Sequence, residues 1–130
     1  EGGLQLAKGR GELLSKIEPL GKTVHLVLCN PQIHVSTATA YAGVQPKNSR
    51  TALLETFKTD GVNGLQNDFE ASVFESFPAI QDLKNKLYAA GATYAAMSGS
   101  GSSVFGIFDA APVLSADLSS QIIYSGPWCY

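Results

Sequence analysis

The sequence has few charged residues, and the two signs nearly cancel. Of its 130 residues 15% are charged, and the formal net charge is -2. A protein that binds nucleic acid by electrostatic attraction needs a basic face, and an anionic membrane surface attracts polybasic segments. We therefore expect neither a nucleic acid nor a membrane as partner. The low charge and the 13 glycines also argue against a disordered chain or a coiled coil.

Long hydrophobic runs and clustered cysteines are also missing. The longest apolar stretches, Val24–Cys29 and Val104–Phe108, are both interrupted and fall well short of the roughly 18 residues typical of a membrane span. No charged leader with an apolar core and a cleavage site is visible. Cys29 and Cys129 lie far apart, and Cys29 is more simply a buried reduced thiol than half of a disulfide. These features predict a cytoplasmic location.

The length predicts one domain spanning residues 1–130, large enough to bury an ordinary core. The chain opens Glu1-Gly2-Gly3-Leu4 without an initiator methionine. We therefore expect a piece of a longer polypeptide, and any site that it carries could be half of a site.

The hydrophobic patterns predict an α+β fold. Residues 1–18 read as a hairpin around a glycine-rich turn at Lys8–Gly11, and the apolar run Thr23–Cys29 reads as a strand covered on both faces. Helical patterns fill the middle of the chain, and strand patterns return near the end. Strands, then helices, then strands predict a mainly antiparallel sheet with helices packed on one face.

The strongest local signal is the loop Ser98-Gly99-Ser100-Gly101. Glycines at alternate positions allow backbone N–H groups to converge on one point, which is how a backbone nest holds an anion such as phosphate. The loop lacks the lysine of a Walker A motif. The alternative is a tight connection between strands that merely requires small residues.

Other candidates have ordinary structural explanations. Asn67 and Glu70 predict a capping box at a helix start, with Glu70 reaching back to the N–H of Asn67. His25 interrupts a buried strand, and His34, in a loop, could contact a ligand. Neither histidine has metal ligands at suitable spacing, so no metal site is predicted. Tyr41 could be half-buried packing or could present its ring to a planar base.

Four segments in this order resemble the GHMP kinase family: Gly9–Glu12, Leu26–Tyr41, Asn67–Glu70 and Met97–Phe105. The resemblance runs from Gly2 to Phe108 and is to the C-terminal half of these enzymes, above all to members whose substrate is a cytidine-diphosphate alcohol. It implies a ferredoxin-like domain of a kinase that moves the γ-phosphoryl group of ATP, with Mg, to a hydroxyl. Such catalysis is mostly positioning and charge stabilisation.

The resemblance also implies roles for individual residues. Ser98, Gly99, Ser100 and Gly101 match the family's third motif, which faces the transferring phosphate. Tyr41 matches an aromatic position that stacks on the cytosine of the substrate, and Thr37 lies on the same wall of the cleft.

The family's lysine, its main phosphate loop and its catalytic aspartate are expected in the enzyme's own N-terminal domain, which would be this chain's partner. We therefore expect no catalytic residue here, no ATP or Mg bound by this chain alone, and no kinase activity in isolation.

Three alternatives stay open at this point. The chain could belong to another GHMP kinase, such as homoserine or mevalonate kinase. It could be a non-catalytic regulatory α+β module that binds a ligand at a self-dimer interface, or a structural domain in which Ser98–Ser103 is a plain turn. Past Phe108 the resemblance weakens, and Pro112 predicts that a closing helix in Asp109–Ser120 is short or missing.

Overall fold

The computed structural model describes residues 3–45 and 52–130. Within them the strands are β1 (Gln5–Lys8), β2 (Leu13–Lys16), β3 (Thr23–Cys29), β4 (Tyr94–Met97), β5 (Val104–Phe108) and β6 (Ile122–Cys129). The helices are α1 (Thr37–Ala42), α2 (Leu53–Asp60), α3 (Glu70–Ser76), α4 (Pro78–Ala89) and α5 (Ala116–Ser119), with a 3-10 turn at Gly61–Gly64.

The chain begins with the expected hairpin. β1 and β2 pair antiparallel in a two-stranded sheet of their own, with Gln5 opposite Lys16 and Lys8 opposite Leu13. The turn between them is held in part by Glu12, whose carboxylate accepts a hydrogen bond from the backbone N–H of Arg10. The first two residues of the predicted hairpin lie outside the described part of the chain.

The main sheet has four strands in the order β4-β5-β3-β6, and every neighbouring pair is antiparallel. Along the chain, β3 is followed by helices, then by the β4–β5 pair, then by α5 and β6. This is the split β-α-β arrangement of ferredoxin-like domains. The prediction of an α+β fold with a mainly antiparallel sheet is confirmed.

Both faces of this sheet are covered, as the nearly continuous apolar pattern of β3 predicts. Val27 and Cys29 point into a core shared with α1, α3, α4 and α5, while Val24 and Leu26 point to the other face. There α2, the 3-10 turn and the segments flanking the hairpin cover the sheet. Four helices thus pack on one face, as expected, and α2 adds a smaller layer on the other.

Leu87 on α4 is the core position where we expect a large loss of stability on truncation. Its side chain is 0% exposed and would be 3.4 Å from a Cβ added at Gly106 of β5. Leu87→Ala should lower the free energy of unfolding by about 2–5 kcal/mol, because it leaves a cavity under the sheet. Val113→Ala, at a side chain 96% exposed, is the control. Equal urea midpoints for the two variants would contradict this packing.

The closing helix α5 is only four residues long, which confirms the sequence expectation. Lys86 of α4 pairs with Asp117 of α5 at 2.6 Å. That hydrogen bond, with a further one from Ser115, lowers the pKa of Asp117 to about 2. Both groups are exposed to solvent, so the pair aligns the two helices more than it stabilises them. None of the helices in the described ranges has the length and apolar character needed to cross a bilayer.

Candidate functional site

The serine-glycine loop connects β4 to β5 and is closed by two backbone hydrogen bonds. The N–H of Ser98 donates to the carbonyl of Ser103 at 2.8 Å, and the N–H of Gly101 donates to the carbonyl of Ser98 at 3.1 Å. Gly99 lies at a φ of +57°, in the left-handed region, and a Cβ added there would meet nothing within 4 Å. The loop therefore needs glycine at position 99 for its backbone, and the space in front of that residue is open.

Several N–H groups of this loop have no acceptor in the described part of the chain. Among the described residues, the backbone N–H groups of Gly99, Ser100 and Ser102 make no hydrogen bond. Backbone donors are strong groups that require a partner, either water or a ligand. Unpaired donors close together in a tight loop are the chemistry of a backbone anion site.

The loop borders an open recess of about 360 Å³. One wall is Gly101–Ser103, and the opposite wall is the segment after β3, where Gln32 takes a positive φ of 57°. The recess is lined by Asn30, Gln32, Ile33, His34, Val35, Gly101, Ser102 and Ser103. His34 thus lies on a wall of this recess, in the segment where the sequence left a ligand contact open.

A short turn, residues 67–70, is hydrogen-bonded to the serine-glycine loop and to the end of β4. The Nδ2 group of Asn67 donates to the carbonyl of Met97 at 2.7 Å and to the carbonyl of Gly99 at 2.8 Å. The Oδ1 atom of Asn67 accepts from the N–H of Phe69 at 3.0 Å. The Oε1 atom of Glu70 accepts from the N–H of Met97 at 2.8 Å. Four hydrogen bonds therefore order the turn and connect it to the loop.

The predicted capping box is wrong. Helix α3 begins at Glu70, its N-cap is Phe69, and no side chain caps it. Glu70 reaches across to the end of β4 instead of back to Asn67. The physical reason is that the backbone N–H of Met97 at the end of β4 is partly buried and needs a partner.

The second oxygen of Glu70 is also engaged. Lys84 of α4 lies 2.6 Å from Oε2, and the two side chains are only 16% and 21% exposed for Glu70 and Lys84 respectively. The ammonium group of Lys84 is also 5.7 Å from the ring centroid of Phe74. Because it is sheltered from solvent and paired on both oxygens, Glu70 fixes α3 and α4 against the loop.

Tyr41 and Thr37 lie on α1, one turn apart and therefore on the same helix face. The Oγ atom of Ser36 accepts from the N–H of Thr39 at 3.3 Å and caps the helix start. The ring of Tyr41 is 4.8 Å from the ring of Phe69, edge to face, yet the residue is 65% exposed. Phe69 belongs to the turn at residues 67–70. This turn therefore contacts both predicted parts of the site, the serine-glycine loop and Tyr41.

The end of α1 is placed by a close approach to α3. A Cβ added at Gly43 would lie 2.3 Å from the Cβ of Ser72, so only glycine allows this contact. The contact fixes the last turn of α1 and, with it, the position of Tyr41.

A second recess was not foreseen from the sequence. It measures about 750 Å³ and lies between α3, α4 and β4, with Glu70, Lys84 and Tyr94 on its wall. Burial raises the pKa of Tyr94 to about 12, and its hydroxyl donates to the carbonyl of Leu65 at 3.1 Å. Glu70, Lys84 and Tyr94 on this wall are already paired, which favours a structural role for these three residues.

The histidines and acidic residues do not converge. In residues 3–45 and 52–130, no group of three His, Cys, Asp or Glu side chains could hold a metal ion. The Nε2 atom of His25 lies 2.8 Å from the Oγ of Ser125 on the neighbouring strand, so this ring nitrogen has a partner within the sheet.

Comparison with known proteins identifies a family that this chain matches. The family model for the C-terminal part of GHMP kinases matches residues 50–121. A 4-diphosphocytidyl-2-C-methyl-D-erythritol kinase of Bacteroides fragilis is 44% identical over 105 residues, covering 78% of this chain and 38% of the relative. The kinase of the same name from Cytophaga hutchinsonii is 42% identical over 127 residues, covering 90% of this chain and 45% of the relative. The chain thus spans less than half the length of these relatives.

Solved structures agree on the fold. The crystal structure of a 4-(cytidine 5'-diphospho)-2C-methyl-D-erythritol kinase superposes with a TM-score of 0.70 at 24% identity, over 95% of this chain and 48% of that one. A homoserine kinase from Cytophaga hutchinsonii superposes with a TM-score of 0.61 at 18% identity, over 99% of this chain and 47% of that one. At these sequence identities the superpositions support the fold and nothing beyond the fold.

Proposed function

This chain belongs to the GHMP kinase family, and we propose that it forms the C-terminal, substrate-side part of a 4-diphosphocytidyl-2-C-methyl-D-erythritol kinase. The reaction would move the γ-phosphoryl group of ATP to the 2-hydroxyl of the cytidine-diphosphate methylerythritol substrate, a step of non-mevalonate isoprenoid biosynthesis in the cytoplasm. The names of the relatives support this choice of substrate. The observation that carries the proposal is the β4–β5 loop, which has unpaired N–H groups and borders an open recess through Gly101–Ser103.

The role that we propose for Ser98–Gly101 is to stabilise charge on the transferring phosphate. Phosphoryl transfer gathers negative charge on the equatorial oxygens of the moving group, and catalysis consists mainly of positioning and electrostatic stabilisation. Fixed backbone N–H donors suit this task because they need no reorganisation during the reaction. The free donors of Gly99 and Ser100 could take up phosphate oxygens in this way.

Magnesium would be held elsewhere. When bound with ATP, it neutralises charge on the phosphates. The described residues of this chain offer no group of carboxylates for it, so the metal does not fit here. We propose that its ligands, the catalytic base and the main phosphate loop come from the N-terminal domain of the complete enzyme.

The role that we propose for Tyr41 is to stack on the cytosine ring. An exposed aromatic ring braced on one edge by Phe69 is a suitable platform for a planar base. Thr37, on the same face of α1, would line the same wall and offer its hydroxyl.

The proposed function can be tested with a chimaera. It joins this chain to the part that the chain does not match in the 4-diphosphocytidyl-2-C-methyl-D-erythritol kinase of Cytophaga hutchinsonii. In a coupled assay for ADP release, we expect turnover by the chimaera with the cytidine-diphosphate substrate and none by the 130-residue chain alone, because the chain would supply only one side of the site.

The choice of substrate separates the alternatives. Turnover of homoserine or mevalonate by the chimaera, but not of the cytidine substrate, would assign the chain to another kinase of the family. Dimerisation of the isolated chain with binding of an amino acid, and no turnover by the chimaera, would favour a regulatory module. Turnover by the chain alone would contradict the proposed division of the site.

A further inference from the structure

We propose that Asn67 is a positioning residue whose carboxamide aims the N–H of Ser100 at a phosphate group. The inference deepens the proposed function and rests on it for the identity of the anion. It begins from the motif Asn67–Glu70, for which the sequence offered only a helix cap.

The orientation of the Asn67 side chain is fixed by its surroundings. Its Nδ2 group has two donors, and both are used, on the carbonyls of Met97 and Gly99. Its Oδ1 atom accepts from the N–H of Phe69. A flipped amide would place its oxygen against two carbonyl oxygens, so only one orientation satisfies all three contacts.

Holding the carbonyl of Gly99 also sets the next N–H group. In a trans peptide the C=O and the following N–H lie in one plane and point in opposite directions. With the Gly99 oxygen held by Asn67 at 2.8 Å, the N–H of Ser100 must point away from the turn. It makes no hydrogen bond within the described protein, so it is free for a ligand.

The rest of the loop cannot easily rotate this peptide. Gly101 donates to the carbonyl of Ser98 on one side, and Glu70 holds the N–H of Met97 on the other. The space beside the neighbouring Gly99 is open, since a Cβ added there would meet nothing within 4 Å. Asn67 itself does not need to touch the anion, because its effect passes through the Gly99–Ser100 peptide.

The test is Asn67→Asp, a nearly isosteric change. Aspartate keeps an oxygen for the N–H of Phe69 but loses both donors and repels the two carbonyls, so the peptide is released. Asn85→Asp makes the same chemical change at an exposed position of α4 and serves as the matched control. Asn67→Ala removes the donors without adding charge, in case the aspartate variant does not fold.

The first measurement uses the 130-residue chain and does not depend on kinase activity. Inorganic phosphate is titrated against sodium chloride of equal ionic strength, and amide shifts are followed by NMR. We expect the amides of Gly99 and Ser100 to shift with phosphate in the unchanged chain and in Asn85→Asp, and to stop responding in Asn67→Asp. A Ser100 amide that ignores phosphate in the unchanged chain, or responds equally in the Asn67 variants, would overturn the inference.

The second measurement uses the chimaera. Misplacing a reacting group by about 1 Å costs on the order of 100-fold in rate, so Asn67→Asp should lower kcat by about that factor while KM for the cytidine substrate stays within about threefold. Unchanged kcat would refute the role of Asn67 and leave the proposed function standing. An inactive parent chimaera would count against the proposed function, and the phosphate titration would then decide the inference alone.

Discussion

Gly99→Val in the chimaera should lower kcat by about 100- to 1000-fold, the loss typical for removal of a fixed backbone or side-chain donor from a charged transition state. Gly99 holds a φ of +57°, which a β-branched residue adopts only with strain. The substituted residue must therefore leave the left-handed region, and the N–H groups of Gly99 and Ser100 lose their common direction.

Gly91→Val is the matched control for this experiment. Gly91 follows α4, has a φ of +98°, and like Gly99 leaves nothing within 4 Å of an added Cβ. Both variants carry the same kind of backbone strain, of order 1–3 kcal/mol, and both should unfold at lower temperature. Only Gly99→Val should lose turnover. If both variants keep full turnover, Ser98–Ser103 is a plain connection between strands and the proposed phosphate contact is refuted.

Tyr41→Ala in the chimaera should weaken binding of the cytidine substrate by roughly 5- to 150-fold, because stacking of a base on an aromatic side chain contributes about 1–3 kcal/mol. The ring is 65% exposed, so its loss should change stability far less than it changes KM. Tyr41→Phe retains the ring and should bind nearly as well as the parent. Tyr124→Ala removes another exposed tyrosine, on the edge strand β6, and should leave KM unchanged.

Thr37→Val sharpens this test because it keeps the side-chain shape and removes the hydroxyl. A rise in KM for both Tyr41→Ala and Thr37→Val would support a shared wall on α1. An unchanged KM for Tyr41→Ala would show that the base binds elsewhere, whatever Thr37 does.

What the sequence could predict was the structure specified by neighbouring residues. The nearly continuous apolar run of β3 predicted a strand with two covered faces, as the structure has it. The glycine spacing identified the loop after β4. In each case the interacting groups lie within a few residues or follow a simple period.

What the sequence could not predict depends on partners distant in the chain. Asn67 and Glu70 bond to groups 27 to 32 residues away, and no local pattern distinguishes such contacts from a capping box. The presence of α2 on the second face of the sheet and the recess near Tyr94 also arise only when the elements pack. The one clue was that the family resemblance paired the Asn67–Glu70 motif with the serine-glycine loop.

Several expectations stay predictions. They include the roles of Ser98–Gly101, Tyr41 and Thr37, the treatment of residues 1–130 as a single domain, and the cytoplasmic location.

The most direct test of the account is a crystal structure of the chimaera with a non-hydrolysable ATP analogue and the cytidine substrate. The account predicts that the N–H groups of Gly99 and Ser100 lie about 2.7–3.2 Å from oxygens of the γ-phosphate, with Asn67 still bound to the carbonyl of Gly99. A γ-phosphate bound away from this loop, with Gly99 and Ser100 hydrogen-bonded only to water, would contradict it.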